Sequence, residues 1–229
     1  MFSGEALRAR MRDPSDSHEP RSRLVTVEQT TNLGGGRVWP LAKIEEVLAV
    51  ADEFGLRTHL DGARLLNATV ASGESAAAYA AGFETAWIDF SKGLGAPVGA
   101  CLAGSAELID EARRYKQMLG GSMRQAGIVA AGARYGLQHN VERLAEDHAN
   151  AKFLAEGLAE LDGVEIDPTT VETNIVIFDV PDAQALHDRL AANGVEMSLL
   201  EGRVRAVTHL DVDRPGIEKA LAAVKDALS

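Results

Sequence analysis

Two short stretches of the chain, residues 59–64 and 91–99, combine reactive side chains with glycine and other small residues. The first, HLDGAR, places a carboxylate and a guanidinium on either side of a glycine, and the second, SKGLGAPVG, sets a lysine among glycines. Each stretch contains or directly follows an apolar run that is typical of a strand. Because ligands of open α/β sheets gather where strands end, we expect the two stretches to meet at one edge of a sheet.

The lysine, Lys92, comes directly after an apolar run that includes Ile88 and Phe90. Burial disfavours a charged ammonium, so a lysine in this position is expected to lose its proton easily and to attack an aldehyde. Pyridoxal phosphate supplies such an aldehyde, and it also requires an anion near its ring nitrogen. Asp61 is the predicted anion.

The residues around Asp61 suit a flat cofactor. Side chains alternate along a strand, so Arg57, His59 and Asp61 share one face. The following Gly62 lets the backbone pass close beneath a ring. Arg64 follows directly and could bind a phenolate oxygen or a carboxylate, since guanidinium pairs with carboxylate through two parallel hydrogen bonds.

Each of these residues also has a simpler interpretation. A lysine after a strand is usually solvated, and an aspartate at a strand end usually caps a helix or forms a turn. The glycines of 91–99 could be ordinary loop residues. Only the combination of the lysine, the aspartate and the glycines favours a cofactor site. We predict no metal site.

Three blocks carry a resemblance to a known family: 59–68 (HLDGARLLNA), 91–99 (SKGLGAPVG) and 119–127 (LGGSMRQAG). They resemble the low-specificity threonine aldolases, pyridoxal phosphate enzymes of fold type I in the aromatic amino acid beta-eliminating lyase/threonine aldolase family. The likeness continues through 204–211 (VRAVTHLD) and covers the chain from about residue 21 onward. It implies cleavage of threonine, allo-threonine or a related β-hydroxy-α-amino acid to glycine and an aldehyde.

The resemblance also implies roles for individual residues. Lys92 would bond covalently to the cofactor, and Arg205 would hold the substrate carboxylate, together with Arg64. The full set of implied cofactor contacts is His59, Asp61, Arg64, Lys92, Lys116 and Arg124, the last two near the cofactor phosphate or a subunit interface. A homodimer or homotetramer is implied as well.

The chain departs from the family in two ways. Where the family shows Glu-Asn-Thr-His-Asn, residues 28–32 read EQTTN, so a histidine is absent. Family chains are also longer at the front by roughly a third, a comparison of lengths alone. By the resemblance, that part holds a Ser-Gly-Thr loop for the phosphate and a histidine that stacks on the ring. We therefore expect weak cofactor binding and little threonine cleavage from these 229 residues.

Two other functions stay open at this point. A β-eliminating lyase would use the same cofactor site but would expel a leaving group from Cβ of the amino acid. A non-catalytic remnant, or an assembly partner, would keep the cofactor-site residues without a working reaction. A truncated gene product, a misplaced start codon and a fragment are all compatible with the sequence.

Composition excludes several classes of protein. Hydrophobic residues make up 46% and charged residues 25%, which indicates a globular chain. The net charge of −11 disfavours a nucleic-acid partner, and no apolar run is long enough to span a bilayer. The single cysteine, Cys101, lies in an apolar run and is predicted to be buried, which fits a reducing, cytoplasmic location.

Hydrophobic periodicity predicts an α/β fold, and the resemblance specifies a partial three-layer fold type I architecture with a mostly parallel sheet. A cofactor-binding domain is expected over 1–150 and a small C-terminal α/β domain over 151–229. In the first we predict strands at 23–28, 57–61, 85–90 and 98–103, and helices at 4–12, 41–54, 107–119 and 123–161, the last with a break near 139–140. In the second we predict strands at 172–179, 195–200 and 203–208, and helices at 182–193 and 216–228.

Overall fold

The structure, a computed structural model, describes residues 1–228 and contains two β-sheets. The first has the order β1-β2-β3-β4, with strands Leu24–Glu28, Arg57–Gly62, Thr85–Asp89 and Ala100–Gly104. The second has the order β5-β7-β6, with β5 at Ile175–Phe178, β6 at Ser198–Leu200 and β7 at Arg203–Val207. All seven strands fall within or beside the segments expected from the sequence.

Helices connect and cover these strands. They are α1 (Gly4–Arg8), α2 (Leu41–Glu53), α3 (Leu65–Ser72), α4 (Ala76–Ala80), α5 (Ala106–Met118), α6 (Gly127–His139), α7 (Leu144–Ala159), α8 (Ala183–Ala192) and α9 (Arg214–Leu228). The predicted break near 139–140 is confirmed, because α6 ends there. Within residues 1–228, no helix has the length and apolarity required to cross a bilayer.

Strands β1, β2 and β3 are parallel, as the connecting helices require. In this register Asp61 lies beside Glu28 on β1 and Trp87 on β3, while His59 lies beside Thr85. Strand β4 instead runs antiparallel to β3. The connection over 90–99 contains no helix and is shorter than the dozen or so residues that a parallel crossover needs.

Each sheet has its own hydrophobic core. Val27, Leu60 and Val47 are completely buried between the first sheet and α2. The second core joins β5 and β7 to α7, α8 and α9, and it includes Leu154 and Leu158 of α7. The predicted division at residue 150 falls inside α7, so the domain boundaries stay a prediction.

The first sheet is covered by helices on one face only. Along β1 and β2, Val25, Val27 and Leu60 are buried, whereas Leu24 on the opposite face is 57% exposed. Parallel sheets normally have both faces covered. This open face, which also carries His59 and Asp61, is therefore available for contact with other groups.

The edge strand β4 is exposed along its whole length. Cys101 lies in it and is exposed, so the expectation that this residue would be buried is wrong. The apolar run 98–103 is typical of a covered strand, but nothing within residues 1–228 covers its outer side.

Candidate active site

A tight turn presents Lys92 at the end of β3. The side chain of Asp89 accepts hydrogen bonds from the backbone N–H of Ser91 (2.6 Å) and from its hydroxyl (2.7 Å), which starts the turn. The backbone N–H of Gly95 then donates to the carbonyl of Lys92 at 2.9 Å and closes it. Lys92 Nζ lies 3.6 Å from Asp89 Oδ2. The turn therefore holds an amine beside a carboxylate.

Lys92 is more exposed than the sequence suggested. Its side chain is 38% exposed, and its Nζ lies 5.7 Å from the centre of the Trp87 ring. The expectation of burial behind Ile88 is therefore wrong. Strand β3 has half-buried residues throughout, since the open face leaves it without a covering layer.

Asp61 and His59 lie on the neighbouring strand, β2. Asp61 Oδ1 accepts a hydrogen bond from the backbone N–H of Ala63 at 3.1 Å, and the Asp61 carbonyl accepts one from Gln29 at 2.7 Å. His59 Nδ1 is 2.7 Å from the hydroxyl of Thr85. These contacts hold both side chains on the open face.

Gly62 allows the ends of β2 and β3 to approach closely. A Cβ atom added at Gly62 would lie 2.1 Å from the carbonyl oxygen of Trp87, a distance that no real side chain tolerates. Glycine is therefore required here for close backbone contact, as the sequence indicated, although the contact is with a strand of the same chain.

Two arginines, Arg64 and Arg205, come together near the end of β1. Burial lowers the pKa of Arg64, and the charge of Arg205 lowers it further, while Glu28 acts in the opposite direction. Burial also lowers the pKa of Arg205, whose Nη2 donates to Asn32 Oδ1 at 2.9 Å. Partly desolvated neighbouring guanidinium groups favour an added anion.

Lys92 and Arg64 line one cleft of about 420 Å³ between the two sheets. Its other lining residues are Ser91, Gly93, Gly95, Ala96, Asn174, Val207, His209, Leu210 and Asp211. We did not predict Asn174, His209 or Asp211 as site residues. Only their positions in the sequence could have indicated them. Asn174 comes directly before β5, and His209 and Asp211 follow β7 inside the block 204–211 that carries the family resemblance.

The structure does not bring every predicted residue to this cleft. Lys116 is exposed on α5 and Arg124 is exposed in the segment before α6, and neither is among the described residues that line it. Arg205, His59 and Asp61 are also outside the lining, although the charges of Asp61 and Arg205 both act on Arg64. The predicted roles of Lys116 and Arg124 stay predictions.

The donor set fits the aldehyde cofactor expected from the sequence. Lys92 offers a solvent-reachable amine, Asp61 offers a carboxylate on the adjacent strand, and the open face leaves room above β2 and β3. No cluster of three or more histidine, cysteine or acidic side chains that could hold a metal ion occurs among residues 1–228.

Comparison with known proteins gives consistent results. A family model described as Beta-eliminating lyase matches residues 1–181. The low-specificity L-threonine aldolase of Escherichia coli strain K12 is 39% identical over 211 residues, covering 91% of this chain and 61% of the relative. Low-specificity L-threonine aldolase 1 of Arabidopsis thaliana is 36% identical over 233 residues, covering 98% of this chain and 64% of the relative.

A solved structure shares the fold. The crystal structure of a putative L-allo-threonine aldolase from Listeria monocytogenes superposes with a TM-score of 0.79 at 24% identity, over 99% of this chain and 65% of that one. The chain therefore spans less than two thirds of the length of the two threonine aldolases that it matches in sequence.

Proposed function

The chain belongs to the beta-eliminating lyase family, and from this premise we propose that it is all or part of a pyridoxal phosphate-dependent aldolase. Its substrate would be threonine, allo-threonine or a related β-hydroxy-α-amino acid, cleaved to glycine and an aldehyde. The observation that carries the proposal is the shared cleft of Lys92 and Arg64, next to the strand end that holds Asp61.

Lys92 and Asp61 are the residues that would hold the cofactor. The Lys92 amine would bond to the aldehyde carbon, and the Asp61 carboxylate would pair with the protonated ring nitrogen. His59 shares the face of Asp61, and Lys116 and Arg124 are proposed for the phosphate. When bound, pyridoxal phosphate would withdraw electrons from Cα of the amino acid.

Arg64 and Arg205 would bind the substrate carboxylate. Burial of both guanidinium groups makes their pairing with an anion stronger than it would be in bulk water. The hydrogen bond from Arg205 to Asn32 sets the direction of one guanidinium before any ligand arrives. We assign no residue as the base that removes the hydroxyl proton.

We also propose a homodimer or homotetramer. Large apolar side chains are exposed on β4, α5, α6 and the segment between these helices, and they include Leu102, Met118, Leu119, Ile128 and Tyr135. Exposed apolar surface of this kind is typical of an interface. Sedimentation equilibrium would test this proposal.

We also propose a cytoplasmic location. The single cysteine favours it, because the cytoplasm is a reducing compartment in which disulfides are rare.

A β-eliminating lyase is the second candidate, because the family model that matches carries that description. The two reactions differ in their products. An aldolase releases glycine and acetaldehyde from threonine, whereas the lyase releases ammonia and a keto acid from an amino acid with a leaving group at Cβ. Assays with both substrates distinguish the two functions.

The decisive test of the shared chemistry is covalent attachment of the cofactor to Lys92. The purified chain is mixed with pyridoxal phosphate, reduced with borohydride and digested, and the labelled lysine is located by mass spectrometry. We expect label at Lys92, no label there in Lys92→Ala, and normal labelling of Lys92 in the exposed-lysine control Lys43→Ala. Label confined to other lysines would contradict the proposal, and no label at all would favour a non-catalytic protein.

A further inference from the structure

Helix α6 packs directly against the segment that follows Lys92. A Cβ atom added at Gly136 would lie 2.7 Å from the carbonyl oxygen of Leu94, and one added at Gly132 would lie 2.7 Å from Pro97 Cδ. Neither position has room for a larger residue. Two successive turns of the helix therefore pack closely on the lysine loop, one against its backbone at Leu94 and one against the ring of Pro97.

Asn140, at the C-terminal end of α6, adds a specific polar contact to this packing. Its side-chain Nδ2 donates to the carbonyl oxygen of Leu94 at 2.8 Å. Its own backbone N–H bonds to the carbonyl of Gly136 at 2.9 Å, so the side chain projects from an ordered helix end. Leu94 is only 2% exposed, so water has little access around it as a replacement partner.

The bonded carbonyl belongs to the turn that presents the amine. Lys92, Gly93, Leu94 and Gly95 form this turn, closed by the Gly95 to Lys92 hydrogen bond. Within residues 1–228, no backbone N–H outside the helices and strands bonds to the Leu94 carbonyl. The Leu94 carbonyl belongs to the Leu94–Gly95 peptide, whose N–H makes the closing hydrogen bond to Lys92, so Asn140 holds the other side of the peptide that closes the turn. Gly93 and Gly95 give the backbone on either side of Leu94 a conformational freedom that this second hydrogen bond restricts.

We propose that Asn140 is a positioning residue for Lys92: its side-chain amide fixes the lysine turn and so directs the amine toward the carbonyl group that it attacks. This inference rests on the proposed function, because it assumes that Lys92 is the reactive amine. The orientation matters because a displacement of about 1 Å in a reacting group can cost 100-fold in rate.

The test compares Asn140→Asp with the wild-type chain. Aspartate has almost the same shape but lacks the donor. Asn193→Asp is the matched control. Asn193 lies at the C-terminal end of α8, which packs on the second sheet, and its Nδ2 donates to the carbonyl of Arg189 at 2.8 Å. Asn140→Ala provides a second variant, without a carboxylate that would repel the Leu94 carbonyl.

Each chain is titrated with pyridoxal phosphate, and the visible absorbance is recorded as a function of cofactor concentration and of pH. Loss of a hydrogen bond to a buried carbonyl predicts about 10-fold weaker binding in both Asn140 variants, with wild-type binding in the Asn193 control. We also expect a different pH midpoint of the visible band, because a loosened turn changes the distance between Lys92 Nζ and Asp89. Circular dichroism checks that the variants are folded.

The possible outcomes separate the two proposals. A wild-type chain that never labels at Lys92 contradicts the proposed function, and this inference with it. Labelling of the wild type together with unchanged affinity and pH midpoint in folded Asn140→Ala overturns the inference and leaves the proposed function standing. A lower melting temperature with an unchanged pH midpoint would show a purely structural role, which also overturns it.

Discussion

Protonation of His148 should destabilise the fold in mildly acidic solution. His148 lies on α7, and its Nε2 is 3.1 Å from Nδ2 of Asn67 on α3. The amide donates to the neutral ring, and an imidazolium has no lone pair left to accept this bond. Burial lowers the pKa of His148 from 6.5 to about 4.

The size of the effect follows from this pKa difference. At about 1.4 kcal/mol per pKa unit, a fall from 6.5 to about 4 sets an upper limit of about 3.5 kcal/mol. Partial exposure of the ring reduces the expected loss to about 1–2 kcal/mol between pH 7.5 and pH 5. Because the folded-state pKa is the lower one, this stability is present above pH 6.5 and is lost as the pH falls toward 4.

Urea unfolding at pH 7.5 and pH 5 measures this loss. His148→Gln keeps an acceptor for the Asn67 amide but does not titrate, so its free energy of unfolding should fall by about 1–2 kcal/mol less than that of the wild type. His18→Gln, at a side chain that is 93% exposed, should behave like the wild type. An equal loss in wild type and His148→Gln would refute the reasoning.

Three further predictions concern the site and its support. Gly62→Ala should destabilise the fold by about 1–3 kcal/mol in urea, because its Cβ would contact Trp87, whereas Gly127→Ala, with open space at its Cβ, should be neutral. Asp61→Asn should weaken pyridoxal phosphate binding at least 10-fold in an absorbance titration, and unchanged binding would remove Asp61 from the site. Asp147→Asn should cost about 2–3 kcal/mol in urea, since it removes the charge of a fully buried carboxylate that pairs with the partly exposed Arg143 at 2.8 Å, and a loss below 1 kcal/mol would count against that pairing.

Much of the architecture was predictable because it depends on local patterns. Apolar residues at helical spacing predicted α2, where Ile44, Val47 and Ala51 are indeed buried, and alternation predicted β2 with His59 and Asp61 on one face. The boundaries were less accurate. Strand β5 begins at Ile175, because residues before it bond to the other lobe, as Thr173 does to the carbonyl of Gly36 at 2.6 Å.

The strand order that the site prediction requires is observed, whereas contacts between distant segments were not predicted. Parallel pairing of β2 with β3 places the end of the Asp61 strand beside the strand that leads to Lys92, and such pairing follows from helical crossovers. No local pattern shows that Asn32 would bond to Arg205 or that His209 would line the cleft. These contacts join the two lobes.

The sequence alone therefore determined the strands, most of the helices and the residue types of the candidate site, since periodicity and short motifs act over a few neighbouring residues. Only the tertiary structure decided which of these residues are covered. Cys101 lies in an apolar run and Lys92 follows one, yet both are exposed, whereas Leu60 in the alternating strand β2 is completely buried. Burial depends on which element packs against a strand from far along the chain, and α2 covers β2 while the outer side of β4 has no such neighbour among residues 1–228.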